Sequence, residues 1–171
     1  MTHYEYLFGP VPSRRMGRSL GVDLLPFKTC SLNCIFCEVG ATTVRTLTRD
    51  EYVPIEAIQA ELLHWLEHDG QADFITLAGS GEPTLHTQFG QILSFIKEHS
   101  KISTALLTNG TLFTAPDVRR DAAQADVVKV SLSAGDEATY TQIHRPARGI
   151  LLADMITAYQ LFRGIQRPTM D

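Results

Sequence analysis

With 171 residues, 44% of them hydrophobic, the chain is long enough to bury about two thirds of its unfolded surface around one core, without disulfide staples. The 15 Lys and Arg against 19 Asp and Glu leave a net charge of −4, which excludes a whole-surface polyanion binder but not a local basic patch. No apolar run approaches the ~18 residues of a membrane span, and Met1 to Phe8 carries His3 and Glu5 where an export signal has basic and apolar regions. These features predict a cytoplasmic chain forming a single core domain over residues 1–171.

The first element is a basic segment, Pro12 to Gly21, with Arg14, Arg15 and Arg18 and with Lys28 close behind. It reads as a loop, either solvated or able to clamp an anion or RNA phosphate. Leu20 to Leu25, Phe74 to Ala78, Ile102 to Leu107 and Val127 to Leu132 are short, nearly continuous apolar runs, each stopped by Pro or Gly or an Asn-Gly pair. Such runs suit parallel strands covered on both faces. Between them lie helical stripes. Pro54 is placed as a first helical residue before Ile55, Ile58, Leu62, Trp65 and Leu66. Phe89, Ile92, Leu93 and Ile96 repeat the pattern, and Pro116 opens a shorter helix to about Gln124. Leu152, Met155, Ile156, Tyr159 and Phe162 form the last stripe, with Gly164 as its natural stop. The order β-α-β-α-β-α-β-α predicts an α/β fold of about four parallel strands with helices outside. Ligands in such sheets gather beyond the carboxyl ends of the strands, so Pro26–Gly40, Gly79–Leu85, Thr108–Thr111 and Ser131–Gly149 are the segments to search.

Cys30, Cys34 and Cys37 lie within eight residues after the first predicted strand, where disulfides would staple nothing and metal ligation is the better use. A structural zinc ion wants four protein ligands. An ordinary four-iron cluster wants four thiolates, so three cysteines on one loop leave one iron open for chemistry. The second loop, Gly79-Ser80-Gly81-Glu82-Pro83, combines glycines that allow close backbone approach with a carboxylate able to accept from a cationic amine. Thr108-Asn109-Gly110 closes the third strand as a turn, and Ser131 to Ala134 follows the fourth. His144-Arg145-Pro146 ends a short helical stretch, with Arg145 free to meet an anion or solvent.

The C-x3-C-x2-C spacing, with Phe36 as the aromatic residue before the third cysteine, resembles the radical S-adenosylmethionine (SAM) superfamily. The resemblance implies a [4Fe-4S] cluster on Cys30, Cys34 and Cys37 whose open iron binds SAM. It also implies reductive cleavage of SAM to a 5′-deoxyadenosyl radical that abstracts hydrogen from substrate. Ser80, Gly81, Glu82 and Pro83 match a Gly-Gly-Glu-Pro-like stretch that holds the methionine amino group in that family, with Ser80 in place of its first glycine. Asn109 is implied near SAM, and Ser131 at its ribose or carboxylate, while Ser133 stands where many relatives carry Asp. From about Phe8 to Arg163 the chain resembles a largely uncharacterised subgroup, distantly related to enzymes that make the wybutosine base of tRNA. That resemblance leaves the substrate open, tRNA included. A flavodoxin or ferredoxin is the electron donor it implies. The superfamily usually builds a six-stranded partial barrel, whereas Arg163 to Asp171 does not read as a fifth strand. The chain therefore reads as a C-terminally shortened partial barrel whose open edge, Val127 to Val130, invites self-association. Two other readings stand beside this one: an iron–sulfur module without SAM chemistry, and a small zinc protein with a histidine as fourth ligand.

Overall fold

The computed structural model describes residues 3–166. Its strands are β1 (Leu7–Ser13), β2 (Gly17–Val22), β3 (Thr29–Cys30), β4 (Val44–Arg45), β5 (Phe74–Leu77), β6 (Ser103–Thr108) and β7 (Val127–Val130). Its helices are α1 (Ile55–His68), α2 (Phe89–His99), α3 (Pro116–Ala122), α4 (Glu137–His144) and α5 (Leu152–Gln166). The main sheet runs β1-β2-β5-β6-β7, and β3 pairs with β4 in a separate two-residue ladder. The junctions β2–β5, β5–β6 and β6–β7 are parallel, as the alternating pattern predicts.

Strand alternation divides the sheet into two unlike faces. Leu20 and Val22 of β2, Ile75 and Leu77 of β5 and Leu106 of β6 are essentially fully buried, in one cluster with Ile58, Leu62 and Trp65 of α1 and Phe89, Ile92 and Ile96 of α2. The opposite face holds a row of small or short residues in register, Gly21, Thr76, Ala105 and Val127. Gly21 belongs there because the Phe8 ring from β1 lies directly over it, about 2.0 Å from where a Cβ would sit. A second, smaller core of Leu32, Tyr140, Ala147, Ile150, Leu152 and Met155 lies beneath the cysteine loop, with Cys30 and Cys34 packed against it. Among the described residues, no helix is long and apolar enough to cross a membrane.

Three expectations need correction. The basic segment is not a loop leading into a strand at Leu20. Residues Leu7–Ser13 form an antiparallel edge strand against β2, which begins at Gly17 and ends at Val22, and Leu24 and Leu25 are buried in the core beyond it. Pro10 and Pro12 argue against a strand in sequence, but an edge strand tolerates residues without an N–H donor, and the pairing shifts register between Phe8 and Val11. Pro54 caps α1 from outside rather than opening it. Helix α5 continues through Gly164 to Gln166, since one glycine costs a helix only about 1 kcal/mol. Of the segment expected not to form a fifth strand, Arg163 to Gln166 is helical, and residues 167–171 lie outside the described part of the chain.

Candidate metal centre

The three cysteines are held at the carboxyl end of the parallel sheet by bonds from both halves of the chain. Leaving β2, the chain turns at Asp23, whose carboxylate accepts from the backbone of Leu25 at 3.2 Å and from both the N–H and the hydroxyl of Ser80 at 2.8 and 2.5 Å. It then passes through Lys28 in a left-handed conformation, φ 60°, into β3. The cysteine loop itself turns through Cys37 N–H to Cys34 O and Gly40 N–H to Cys37 O. Its far side rests on the C-terminal end of α4, where Asn33 N–H donates to His144 O and Ile35 N–H to Ile143 O, at 3.0 and 2.9 Å. Ala147 N–H completes the dock by donating to Ser31 O at 2.9 Å. A loop near the start of the sequence is thus fastened by a helix more than a hundred residues later.

The glycine and glutamate loop follows β5 and lies against β3. Glu82 N–H donates to Thr29 O at 3.2 Å, and Lys28 N–H donates to Ser80 O at 3.0 Å. Gly81 is the residue this approach requires, since a Cβ there would fall 1.8 Å from Thr29 O. Glu82 is only 2% exposed. Its Oε1 accepts from Thr84 N–H, the Thr84 hydroxyl and the Thr108 hydroxyl at 3.1, 2.6 and 2.6 Å, and its Oε2 from Asn109 N–H at 2.7 Å. The carboxylate therefore points into the protein and ties the loop after β5 to the end of β6. A direct contact with a ligand amine would require exchanging some of these bonds. Pro83 is buried at the start of a single 3-10 turn, Pro83–Leu85.

Asn109 links the two loops. Its backbone N–H reaches Glu82, while its side-chain Nδ2 donates to Ser31 Oγ at 2.9 Å and approaches Cys30 Sγ at 3.6 Å. Its Oδ1 accepts from the N–H and hydroxyl of Thr111, which fixes the amide orientation. Ser131 sits beyond β7 with an exposed side chain, its N–H donating to Thr108 O at 2.9 Å. Phe36 is 51% exposed and meets the His144 ring edge-on at 5.3 Å.

The sulfurs occupy unequal environments. Burial, and then the Glu82 charge, push the Cys30 thiol up to about 11. Burial, and then the neighbouring Cys30 and Cys37, push Cys34 up to about 11 as well. Burial also works to raise Cys37, but the Lys28 hydrogen bond leads a set of donors that outweighs it, so this thiol ends below its ordinary value. His144 is held toward its neutral form by burial. All three cysteines are free of disulfides. Among the described residues, no three His, Cys, Asp or Glu side chains converge on a position suited to one metal ion.

Cys30, Cys34, Cys37, Ser80, Gly81, Glu82, Pro83 and Asn109 thus share one end of the sheet, with Phe36 on the exposed rim and Ser131 one strand further out. Sequence reasoning missed two contributors. In sequence Lys28 reads as part of a basic loop, although its position two residues before Cys30 is a usable signal. Nothing in a linear reading ties His144 to Cys34, and Arg145 beside it draws the eye instead.

Comparison with known proteins bears on the family and the fold. A family model described as the radical SAM superfamily matches residues 24–171. A UPF0026 protein of Synechocystis is 37% identical over 163 residues, which are 95% of this chain and 61% of that protein. A Brachyspira hyodysenteriae protein named GTPase Obg is 38% identical over 159 residues, 93% of this chain but 23% of that protein. A solved structure described as native anSMEcpe with bound AdoMet shares the fold, with a TM-score of 0.64 at 19% identity over 86% of this chain and 41% of that one. The chain spans less than two thirds of the length of each.

Proposed function

The chain belongs to the radical SAM superfamily, and from its site we propose that Cys30, Cys34 and Cys37 hold a [4Fe-4S] cluster whose open iron takes S-adenosylmethionine. The observation that carries this reading is Asn109, which bonds to the Glu82 carboxylate while its amide reaches Ser31 and the Cys30 sulfur. Cysteine loop, glutamate loop and asparagine turn are thereby one structure. The donor set fits the group: three thiols on one loop suit a cluster in which three irons each take one thiolate and the fourth takes none from the chain.

When bound, the cluster supplies the electron that cleaves SAM to methionine and a 5′-deoxyadenosyl radical, which abstracts hydrogen from a substrate. The chain's own residues do the positioning. Glu82 braces the loops after β5 and β6, and Gly81 lets the first of them lie flat against β3, so that the backbone of Gly79 to Gly81 would border the amino-acid end of SAM. Asp23 fixes Ser80 within that border. Asn109 joins the cysteine and glutamate loops at the end of β6, and Ser131, exposed at the end of β7, would be free to meet the ribose or carboxylate of SAM.

Anaerobic reconstitution with iron and sulfide, followed by reduction with dithionite in the presence of SAM, tests the reading. About four iron per chain and formation of 5′-deoxyadenosine are expected, and both disappear in Cys34→Ala. Iron uptake that persists in that variant removes the assignment. A second reading, an iron–sulfur module without SAM chemistry, draws on the open outer edge of β7, where Val127 is 39% exposed. Cluster formation without 5′-deoxyadenosine would select it.

A further inference from the structure

Lys28 is 3% exposed, an unusual place for an ammonium group. Buried charges persist when they are paired. The ion pairs among the described residues are Arg49–Asp117, Lys97–Asp126 and Arg120–Asp121, so no carboxylate lies within 4.0 Å of Lys28. Its Nζ donates instead to Cys37 Sγ at 3.1 Å. The backbone delivers it there at a cost, because φ 60° is a conformation that glycine or asparagine adopts more readily. Lys28 N–H donates to Ser80 O, and Thr43 and Val44 N–H donate to Lys28 O, so the turn is fixed from both sides. A merely connecting turn gains nothing from a buried lysine at this position. A buried ammonium facing a sulfur calls for negative charge on that sulfur.

On the other side of the loop His144 is 1% exposed, with Nδ1 3.2 Å from Cys34 Sγ. Its Nε2 is buried without a hydrogen-bond partner. A buried N–H lacking an acceptor costs more than a bare ring nitrogen lacking a donor. The ring proton therefore belongs on Nδ1, and His144 donates while the Cys34 sulfur accepts. Phe36 at 5.3 Å and Tyr140 at 4.8 Å hold the ring in place.

We propose that Lys28 and His144 are positioning residues for the cluster, a cationic donor to the Cys37 sulfur and a neutral donor to the Cys34 sulfur, which favour its reduced, more negatively charged form. This rests on the cluster assignment made above. Hydrogen bonds and positive charge at the sulfurs of an iron–sulfur centre raise its reduction potential. Lys28, bearing a full charge, has the larger effect.

The test compares wild-type protein with Lys28→Met, His144→Leu and His144→Asn, the last keeping a donor near the Nδ1 position. Each is reconstituted anaerobically and its iron is counted. Its midpoint potential is then read from the electron paramagnetic resonance (EPR) signal during reductive titration with dithionite. The expected result is equal iron, a shift to more negative potential in Lys28→Met, a smaller one in His144→Leu, and a near-wild-type value in His144→Asn. Equal iron with unshifted potentials in Lys28→Met and His144→Leu overturns the donor roles while leaving the cluster standing. Wild-type protein that takes up no iron overturns the cluster and the donor roles together. Should Lys28→Met lose iron, Lys28→Arg decides. Restored loading at a near-wild-type potential supports a cationic donor, and failure of both variants assigns Lys28 to packing instead.

Discussion

The core beneath the sheet and the small core beneath the cysteine loop are built by different means. In the first, Leu20, Val22, Ile75, Leu77 and Leu106 interlock with aliphatic and aromatic residues of α1 and α2. In the second, Leu32, Tyr140 and Met155 occupy a patch whose position depends on backbone bonds between the cysteine loop and the end of α4. One region derives its stability from apolar area. The other uses hydrogen bonds to place sulfur atoms. Damage to the first should unfold the protein, whereas damage to the second should leave a folded chain with an altered site.

The largest expected effect is therefore in the sheet core. Leu77→Ala should cost about 2–5 kcal/mol and lower the thermal midpoint sharply, whereas Cys34→Ala should leave the melt of iron-free protein nearly unchanged. Equal melting losses in the two variants would erase the distinction between the regions.

Next in size is Glu82, which belongs to the site but is as buried as the core. Glu82→Ala leaves the donors of Thr84, Thr108 and Asn109 without their acceptor, and roughly 1–3 kcal/mol should be lost in denaturant unfolding. Burial raises this carboxyl's pKa, with the Thr108 and Thr84 hydrogen bonds opposing. The folded state then holds the proton to higher pH than the unfolded state does. The Glu82 contribution is fully present below the unfolded value of about 4.3 and is lost as pH rises through the folded value. Over that window, wild-type stability should fall with pH more steeply than that of Glu82→Gln. Parallel pH profiles would show that Glu82 ionises in the fold as it does in water.

A smaller effect is expected at Asp126, on the surface between α3 and β7. Burial would raise its pKa, but Lys97 at 2.7 Å and the Thr104 N–H and hydroxyl outweigh it and hold the carboxyl below its ordinary value. Its contribution is present above the unfolded value and is lost as pH falls through the folded one. Asp126→Asn should cost about 0.2–1 kcal/mol at neutral pH and almost nothing in strong acid. A cost that persists unchanged at low pH would assign the effect to geometry rather than charge.

The same contrast explains what a linear reading reaches. The sheet core was legible because each run, such as Phe74 to Leu77, declares its burial locally, and the order of runs implies parallel pairing. β1 was hidden by Gly9, Pro10 and Pro12, residues that weaken any strand pattern and are tolerated only because it lies at an edge. At the site, Cys30, Cys34 and Cys37 announce themselves by spacing. The inward turn of Glu82 does not, because it depends on Thr108 and Asn109 at the end of another strand. His144 was invisible for the same reason, being joined to Cys34 only by folding.

If three loop cysteines leave one iron open to SAM, the EPR spectrum of the reduced, reconstituted protein must differ with and without SAM. A cluster signal that changes in shape when SAM is added is expected, with no such signal in Cys34→Ala. A full complement of iron whose spectrum is identical with and without SAM would contradict an iron open to SAM.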